Sequence, residues 1–102
     1  MRGRICAVLA LVALLSACGG PDVDATGREI FNDICARCHA ADLSGGVGPA
    51  LGPGSNAASQ DDEYLRTTIR DGRGRMPSFR QTLSTEQIDR VVEYVRSVQE
   101  EG

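Results

Sequence analysis

The stretch Cys35-Ala36-Arg37-Cys38-His39 constrains this chain more than any other part of its sequence. Two cysteines three positions apart, with a histidine directly after the second, form the C-x-x-C-H pattern typical of covalent haem c attachment. Two thiols on one helical turn can add to the two vinyl groups of a haem, and the next side chain then points towards the iron. The sequence therefore predicts one haem c bound through Cys35 and Cys38, with His39 as the proximal ligand.

The cysteine pair also has non-haem interpretations. A structural zinc site needs four Cys or His ligands, and no second ligand pair follows in the sequence. A thioredoxin-like redox pair follows a strand in a βαβ unit, and no strand pattern precedes Cys35. A structural disulfide between cysteines this close would be unusual. A redox or structural thiol pair stays open as the alternative to haem.

The beginning of the chain has the pattern of an export signal. Arg2 and Arg4 precede an apolar run over 5–15, which is too short to span a bilayer as a permanent helix. The run ends in Leu-Ser-Ala-Cys18, which resembles the lipobox of bacterial lipoproteins, in which the cysteine is acylated. The alternative is an ordinary signal peptide that leaves Cys18 as a stray thiol.

These patterns divide the chain into three parts. We expect a lipoprotein signal peptide over 1–17, a lipidated cysteine and short polar tether over 18–25, and one folded domain over 26–102. Lipid on Cys18 predicts a location on the outer face of a bacterial membrane. Export is consistent with the haem prediction, since c-type haem is attached outside the cytoplasm.

The charge distribution argues against binding to nucleic acid. From Gly19 onward there are nine arginines, no lysine and 14 acidic residues, which give a formal charge of −5. Between Tyr64 and Arg80, however, five arginines face a single acidic residue, Asp71, for a local charge of +4. Such a patch favours docking of an acidic redox partner, and the alternative is an ordinary solvated face. The predicted docking residues are Arg70, Arg73, Arg75 and Arg80.

Apolar residues at helical spacing predict three main helices. Capping boxes predict that the first helix follows Thr26 and that the last follows Ser84. The second helix is expected to begin at Ser59 and to stop at Gly72. On the first helix Gly27 and Phe31 share one face, and Tyr94 of the last helix is expected to pack against it. The core positions of the last helix are Ile88, Val91, Val92, Val95 and Val98.

The segment 40–58 has five glycines, two prolines and no regular apolar pattern. A long loop in so small a domain needs a reason, and wrapping a cofactor is one. A metal-bound histidine usually donates its second ring N–H to a carbonyl or carboxylate. The candidate acceptor for His39 is the carbonyl of Pro49, and the alternative is a plain turn.

Met76 is the candidate for the second axial ligand. It is the only methionine left after removal of the predicted signal peptide, and the chain has no second histidine and no lysine. Gly72 and Gly74 allow the backbone to turn tightly, while Pro77 stiffens the next bond. Pairing of histidine with methionine is a standard haem arrangement. The alternative role for Met76 is an adaptable core filler.

Together these motifs resemble class I cytochrome c, the small monohaem type. The resemblance covers residues 26–99 and rests on C-x-x-C-H, Gly-Pro-x-Leu, Tyr-Leu-x-x-x-Ile-x-x-Gly, Gly-x-Met-Pro-x-Phe and the pattern of the last helix. It implies an all-α fold of three main helices and loops wrapped around a covalent haem. It also implies thioether links at Cys35 and Cys38, axial ligation by His39 and Met76, and support of the histidine by Pro49. The chain departs from the family in lacking tryptophan and the docking lysines of many members.

Two occupied axial positions leave no open site for a substrate at the iron. The expected function is therefore that of a membrane-tethered, monomeric c-type cytochrome, which is not an enzyme and carries single electrons between respiratory or other redox proteins. The alternative is a haem-bearing subunit, haem enzyme or gas sensor in which Met76 is displaced from the iron.

Overall fold

The computed structural model describes residues 20–102 of the chain. Helix α1 consists of an α-helical turn at Gly27–Ile30, a π-helical turn at Phe31–Cys35 and an α-helical turn at Ala36–His39. A short 3-10 helix at Ala57–Ser59 precedes α2 at Asp62–Asp71, and α3 spans Thr85–Glu101. Residues 20–102 contain no β-strand, so the fold is all-α, as predicted. None of the helices in this part of the chain combines the length and apolarity needed to cross a membrane.

The first and last helices begin at the predicted capping boxes. The Thr26 hydroxyl accepts from the Glu29 amide at 3.1 Å, and the Glu29 carboxylate accepts from the Thr26 amide at 3.1 Å. Ser84 and Gln87 exchange the same pair of hydrogen bonds at 3.2 and 2.8 Å. Each box satisfies two amide donors that a helix N-terminus would otherwise leave unpaired.

Helix α2 begins later than the sequence suggested. The prediction of a start at Ser59 is wrong, because Ser59 belongs to the 3-10 turn and its hydroxyl donates to the Asn56 carbonyl at 2.7 Å. The capping residue is Asp61, whose carboxylate accepts from the Tyr64 amide at 2.7 Å. A carboxylate is a stronger acceptor than a hydroxyl and also favours the positive end of the helix dipole. The helix ends at Gly72, as predicted, with φ of 79°.

The core lies mainly where α1 crosses α3. Ile30 and Phe31 of α1 are fully buried, and Val91 and Val92 of α3 are at most 2% exposed. The Phe31 and Tyr94 rings lie 5.5 Å apart at 53°, a tilted aromatic contact that agrees with the predicted pairing. Gly27 permits this crossing, because a Cβ at that position would lie only 2.0 Å from the Arg90 carbonyl oxygen.

The loop after α1 also contributes to the core. Leu43 is 1% exposed although it belongs to no helix, and its φ of 64° lies in the left-handed region. A non-glycine residue in that region is held there at a cost of roughly 1–2 kcal/mol. Burial of the leucine side chain offsets this cost, since it contributes roughly 1.5–3 kcal/mol. The loop is therefore packed into the domain at Leu43.

The residues that precede α1 are attached to α3. The Gln87 side-chain amide donates to the Asp22 carbonyl at 3.2 Å, and the Arg90 guanidinium donates to the carbonyls of Val23 and Ala25. The part of the predicted tether that the structure describes is thus hydrogen-bonded to the domain. Predicted cleavage and lipidation at Cys18 lie outside the described residues and stay predictions.

Candidate functional site

The cysteine pair lies on the final turns of α1. Cys35 ends the π-helical turn and is partly buried against the core, whereas Cys38 is exposed. In the π-helical turn the Ala36 amide donates to the Phe31 carbonyl, five residues earlier, so this turn is wider than an α-helical one. Neither Cys35 nor Cys38 is part of a disulfide within residues 20–102, so both sulfur atoms are available for thioether bonds.

The pKa of the Cys35 thiol argues against a redox-active pair. Burial raises the pKa of the Cys35 thiol to about 11, and the nearby Cys38 adds to the shift. Redox-active cysteines instead have lowered pKa values, because the thiolate is the form that attacks a disulfide. The raised pKa of Cys35 is therefore evidence against the thiol-pair alternative.

His39 is held by a backbone carbonyl of the following loop. Its Nδ1 lies 2.8 Å from the Pro49 carbonyl oxygen, and the residue is only 8% exposed. Because a carbonyl oxygen can only accept, the contact places a proton on Nδ1 and leaves Nε2 as the nitrogen that can bind a metal. This contact with the Pro49 carbonyl is the one predicted from the sequence. The roles of both residues towards haem iron stay predictions.

The loop reaches the imidazole because it folds back onto the end of α1. The Gly48 amide donates to the Cys38 carbonyl at 2.8 Å, and the Gly45 amide donates to the His39 carbonyl at 2.9 Å. These bonds satisfy two of the carbonyls that a helix C-terminus leaves unpaired. A Cβ on Gly48 would lie 2.9 Å from Cε1 of His39, so glycine leaves room for the ring. Sequence reasoning did not identify this role of Gly48.

Met76 lies in a tight turn after α2. Arg73 and Met76 exchange two backbone hydrogen bonds, Arg73 amide to Met76 carbonyl at 3.0 Å and Met76 amide to Arg73 carbonyl at 2.9 Å. Gly72 makes the close approach possible, because a Cβ there would lie 2.6 Å from the Met76 carbonyl oxygen. The Met76 side chain is partly buried and packs against the same core as Cys35. Its role as an iron ligand stays a prediction.

The residues after Met76 close the loop onto α2. The Phe79 amide donates to the Ile69 carbonyl at 3.1 Å, and the Ser78 hydroxyl donates to the Arg70 carbonyl at 2.6 Å. Met76 therefore lies in a segment that is hydrogen-bonded at both ends, which restricts the positions its sulfur can reach.

The predicted docking arginines have different surroundings. The Asp71 carboxylate accepts hydrogen bonds from Arg70 at 3.3 Å and also from Arg80. Both contacts lower the pKa of Asp71 below its usual value, and the contact with Arg80 has the larger effect. The Arg73 guanidinium donates to the Tyr64 hydroxyl, and its central carbon lies 5.7 Å from the centre of that ring. Arg75 forms no ion pair with any residue in the described range 20–102. Arg73 and Arg75 thus keep charge that no carboxylate neutralises within that range.

Two polar residues of α3 also contact the part of the chain that joins α1 to α2 and the start of α2, and sequence reasoning missed both. The Gln99 side-chain amide donates to the Leu51 carbonyl at 2.9 Å. Arg96 donates to the Ala57 and Gln60 carbonyls and to the Asp62 carboxylate. Their positions on the helix gave no signal, because their partners lie more than 30 residues away in the sequence.

The donor groups fit covalent haem c. Two free thiols lie three positions apart on α1, and the imidazole that follows them has its Nδ1 committed to a carbonyl. When the thiols become thioethers, the partly buried Cys35 is not left as an ionisable group beside the core. The remaining ring nitrogen and the thioether of Met76 are both established ligand types for haem iron.

Comparison with known proteins supports the same assignment. Residues 22–95 match the family described as cytochrome c oxidase, cbb3-type, subunit III. Cytochrome c-551 of Bacillus subtilis (strain 168) is 34% identical in an alignment of 82 positions, and the matched part covers 67% of this chain and 71% of the relative. Cytochrome c6 of Leptolyngbya boryana is 34% identical, also in an alignment of 82 positions, and the matched part covers 76% of this chain and 95% of the relative.

A solved structure gives the same result for the fold. Cytochrome cL from Hyphomicrobium denitrificans superimposes with a TM-score of 0.65 at 29% identity, over 72% of this chain. This chain spans 45% of the length of that protein. The three helices and their loops are thus those of a cytochrome c fold, as the sequence motifs predicted. The chain belongs to the cytochrome c family of electron carriers and holds one haem c through Cys35 and Cys38.

Proposed function

We propose that this protein is a membrane-tethered carrier of single electrons outside the cytoplasm, with His39 and Met76 as the two axial ligands of its haem. The observation that carries this proposal is the position of Met76, whose backbone is paired with Arg73 and whose side chain packs on the core shared with Cys35. A residue held in this way can occupy a sixth coordination position without mobile loop closure. Two protein ligands leave no position at which a substrate binds.

Each residue of the site has a separate task. The bound haem supplies an iron that alternates between ferric and ferrous states, one electron at a time. The Pro49 carbonyl fixes the tautomer and orientation of His39, and the hydrogen bond makes the imidazole a more basic ligand for the iron. The thioether of Met76 is a soft ligand that favours ferrous iron and a higher reduction potential.

Two measurements test this proposal. A haem stain after denaturing electrophoresis should detect covalent haem, since thioether bonds survive denaturation. The optical spectrum of the reduced protein should not change when carbon monoxide is added at neutral pH, because both axial positions are filled. Rapid carbon monoxide binding by the native protein would instead favour a haem enzyme or gas sensor with Met76 displaced.

A second function has one observation in its favour. The matching family is described as a subunit of an oxidase, so the chain is a candidate haem-bearing subunit of a larger complex. Gentle detergent extraction followed by size-exclusion chromatography distinguishes the two functions. A carrier elutes as a monomer, whereas a subunit elutes with partner proteins and carries their haem or copper absorbance.

The membrane tether depends on Cys18 and gives a direct prediction. Cys18→Ser should move the protein from the membrane fraction to the soluble fraction without changing its redox titration. A single acyl chain holds a protein only marginally, and lipobox processing supplies several chains. The matched control is Cys6→Ser within the predicted signal peptide, which should fractionate with membranes like the parent. Membrane association of Cys18→Ser as tight as that of the parent would argue against the lipid anchor.

The proposed partner is a redox protein with an acidic docking face, which the exposed arginines around Met76 would contact. At low salt, the double variant Arg73→Glu/Arg75→Glu should slow electron transfer to such a partner by about tenfold, because charge steers encounter. The rate of the parent should fall as salt is added, since charges are screened over about 8 Å at physiological ionic strength. Stopped-flow kinetics over a salt series measures both effects.

Two further variants separate docking from loop geometry. Arg75→Glu alone leaves the Arg73 contact with Tyr64 intact. It should slow electron transfer less than the double variant does. Arg28→Glu reverses an exposed charge on α1, outside the patch, and should have little effect. Equal rates for the parent and the double variant at every salt concentration would make the patch an ordinary solvated face.

A further inference from the structure

The loop that carries Pro49 is fixed from its other side by α3. The Gln99 amide nitrogen donates to the Leu51 carbonyl at 2.9 Å, while the Leu51 amide donates to the Leu43 carbonyl at 2.9 Å. Leu51 is therefore held through both its amide and its carbonyl. Because Leu51 lies only two residues after Pro49, its position limits where the Pro49 carbonyl can lie.

Gln99 is itself held in one orientation. Arg96 donates from its Nη1 atom to the Gln99 side-chain oxygen at 2.8 Å, so the amide nitrogen of Gln99 is turned towards Leu51. The Nε atom of Arg96 donates to the Asp62 carboxylate at 2.7 Å. Arg96 is 21% exposed in its side chain, and in this setting its hydrogen bonds are less open to competition from water than those of a surface arginine.

We propose that Gln99, oriented by Arg96, is a positioning residue for His39: it fixes Leu51 and thereby the Pro49 carbonyl that accepts the His39 Nδ1 proton. This inference rests on the proposed ligation of iron by His39. Such a hydrogen bond raises the basicity of a ligating imidazole, and a more basic ligand favours ferric iron. Loosening the Pro49 carbonyl should therefore weaken the bond and raise the reduction potential.

The single histidine of the chain makes a direct test possible. Holoprotein labelled with 15N in histidine gives one set of ring nitrogen signals, and in the reduced state the exchange rate of the Nδ1 proton with solvent can be measured. In Gln99→Leu this exchange should become faster by up to about tenfold, because the net free energy of one hydrogen bond corresponds to a factor of that size. The reduction potential should rise in the same variant.

The matched control is Gln87→Leu. Gln87 is also a glutamine of α3 whose side-chain amide donates to a backbone carbonyl, but its partner, Asp22, precedes α1. Gln87 is 5% exposed and takes part in the capping box, so its loss should destabilise the fold at least as much as loss of Gln99. It should nevertheless leave both the proton exchange and the potential at their parent values.

A second variant tests the same inference if Gln99→Leu does not fold. Arg96→Lys keeps the positive charge but lacks the guanidinium fork that joins Asp62 and Gln99, so it should shift proton exchange in the same direction by a smaller factor. Unchanged exchange and potential in Gln99→Leu, or equal shifts in Gln87→Leu, would overturn this inference but leave the proposed ligation by His39 standing. If the ring nitrogens of the parent show no bond to iron, the proposed ligation by His39 fails first, and the inference fails with it.

Discussion

Replacing Met76 with alanine should leave haem attached through Cys35 and Cys38 but open the sixth coordination position. The variant should bind carbon monoxide when reduced, unlike the parent. Its reduction potential should fall by on the order of 100 mV, a modest part of the roughly 0.8 V range over which axial ligands set haem potentials. Loss of a soft thioether removes an interaction that favours ferrous iron. Optical titration and carbon monoxide difference spectra measure these changes.

A leucine at the same position separates ligation from packing. Met76 is partly buried against the core, so alanine removes apolar contacts as well as sulfur, whereas Met76→Leu retains most of the side-chain volume. If Met76 is a ligand, both variants should bind carbon monoxide. If Met76 is only a core filler, Met76→Leu should have the spectrum and potential of the parent, and the proposed ligation would be wrong.

The local parts of the fold were predictable from neighbouring residues. Capping boxes at Thr26 and Ser84 involve residues only three positions apart, so their pattern is visible in the sequence and their hydrogen bonds follow. Gly72 ends α2 because it can adopt φ of 79° with no side chain to clash. The Phe31 and Tyr94 contact was predicted from small and aromatic residues on one helix face.

The errors and omissions have physical causes. Ser59 and Asp61 are both plausible helix caps, and the choice depends on the 3-10 turn before them, which the sequence does not specify. The π-helical turn at Phe31–Cys35 was not predicted, since a single π-helical turn inside an α-helix shifts the helical spacing by only one residue. The burial of Leu43 was not predicted, because it depends on a left-handed backbone conformation in a segment without helical spacing.

The site residues also fall into two groups, those that a short motif identifies and those whose contacts depend on the folded chain. Cys35, Cys38 and His39 are adjacent in the sequence, so a short motif was enough to identify them. The Pro49 carbonyl could be proposed only from a general rule about ligating histidines, and the structure supplies its 2.8 Å distance to Nδ1. The contact between Gln99 and Leu51 joins residues 48 apart and involves a backbone acceptor, which any residue type provides. A single sequence therefore contains no trace of it.

The crossing of α1 and α3 should be the most sensitive point of the fold. Gly27→Ala places a Cβ 2.0 Å from the Arg90 carbonyl oxygen and 2.6 Å from the carbonyl carbon. Both atoms belong to the backbone of α3, so no side-chain rotation relieves the clash and the helices must move apart. Since overpacking typically costs 1–3 kcal/mol, we expect a loss of about 3 kcal/mol from the free energy of unfolding. For a domain of this size that corresponds to a fall in melting temperature of roughly 15 °C.

A buried glycine at which a Cβ would make only ordinary van der Waals contacts provides the control. At Gly52 a Cβ would lie 3.7 Å from the Leu43 carbonyl oxygen, an ordinary contact distance, so Gly52→Ala should change the melting temperature little. Thermal unfolding of both holoproteins, followed by far-ultraviolet circular dichroism, makes the comparison. The tilted contact between Phe31 and Tyr94 should loosen in Gly27→Ala alone, and near-ultraviolet circular dichroism of the tyrosines reports it. Equal melting temperatures in the two variants would mean that α1 and α3 do not cross this closely, and the Phe31 contact would then need another explanation.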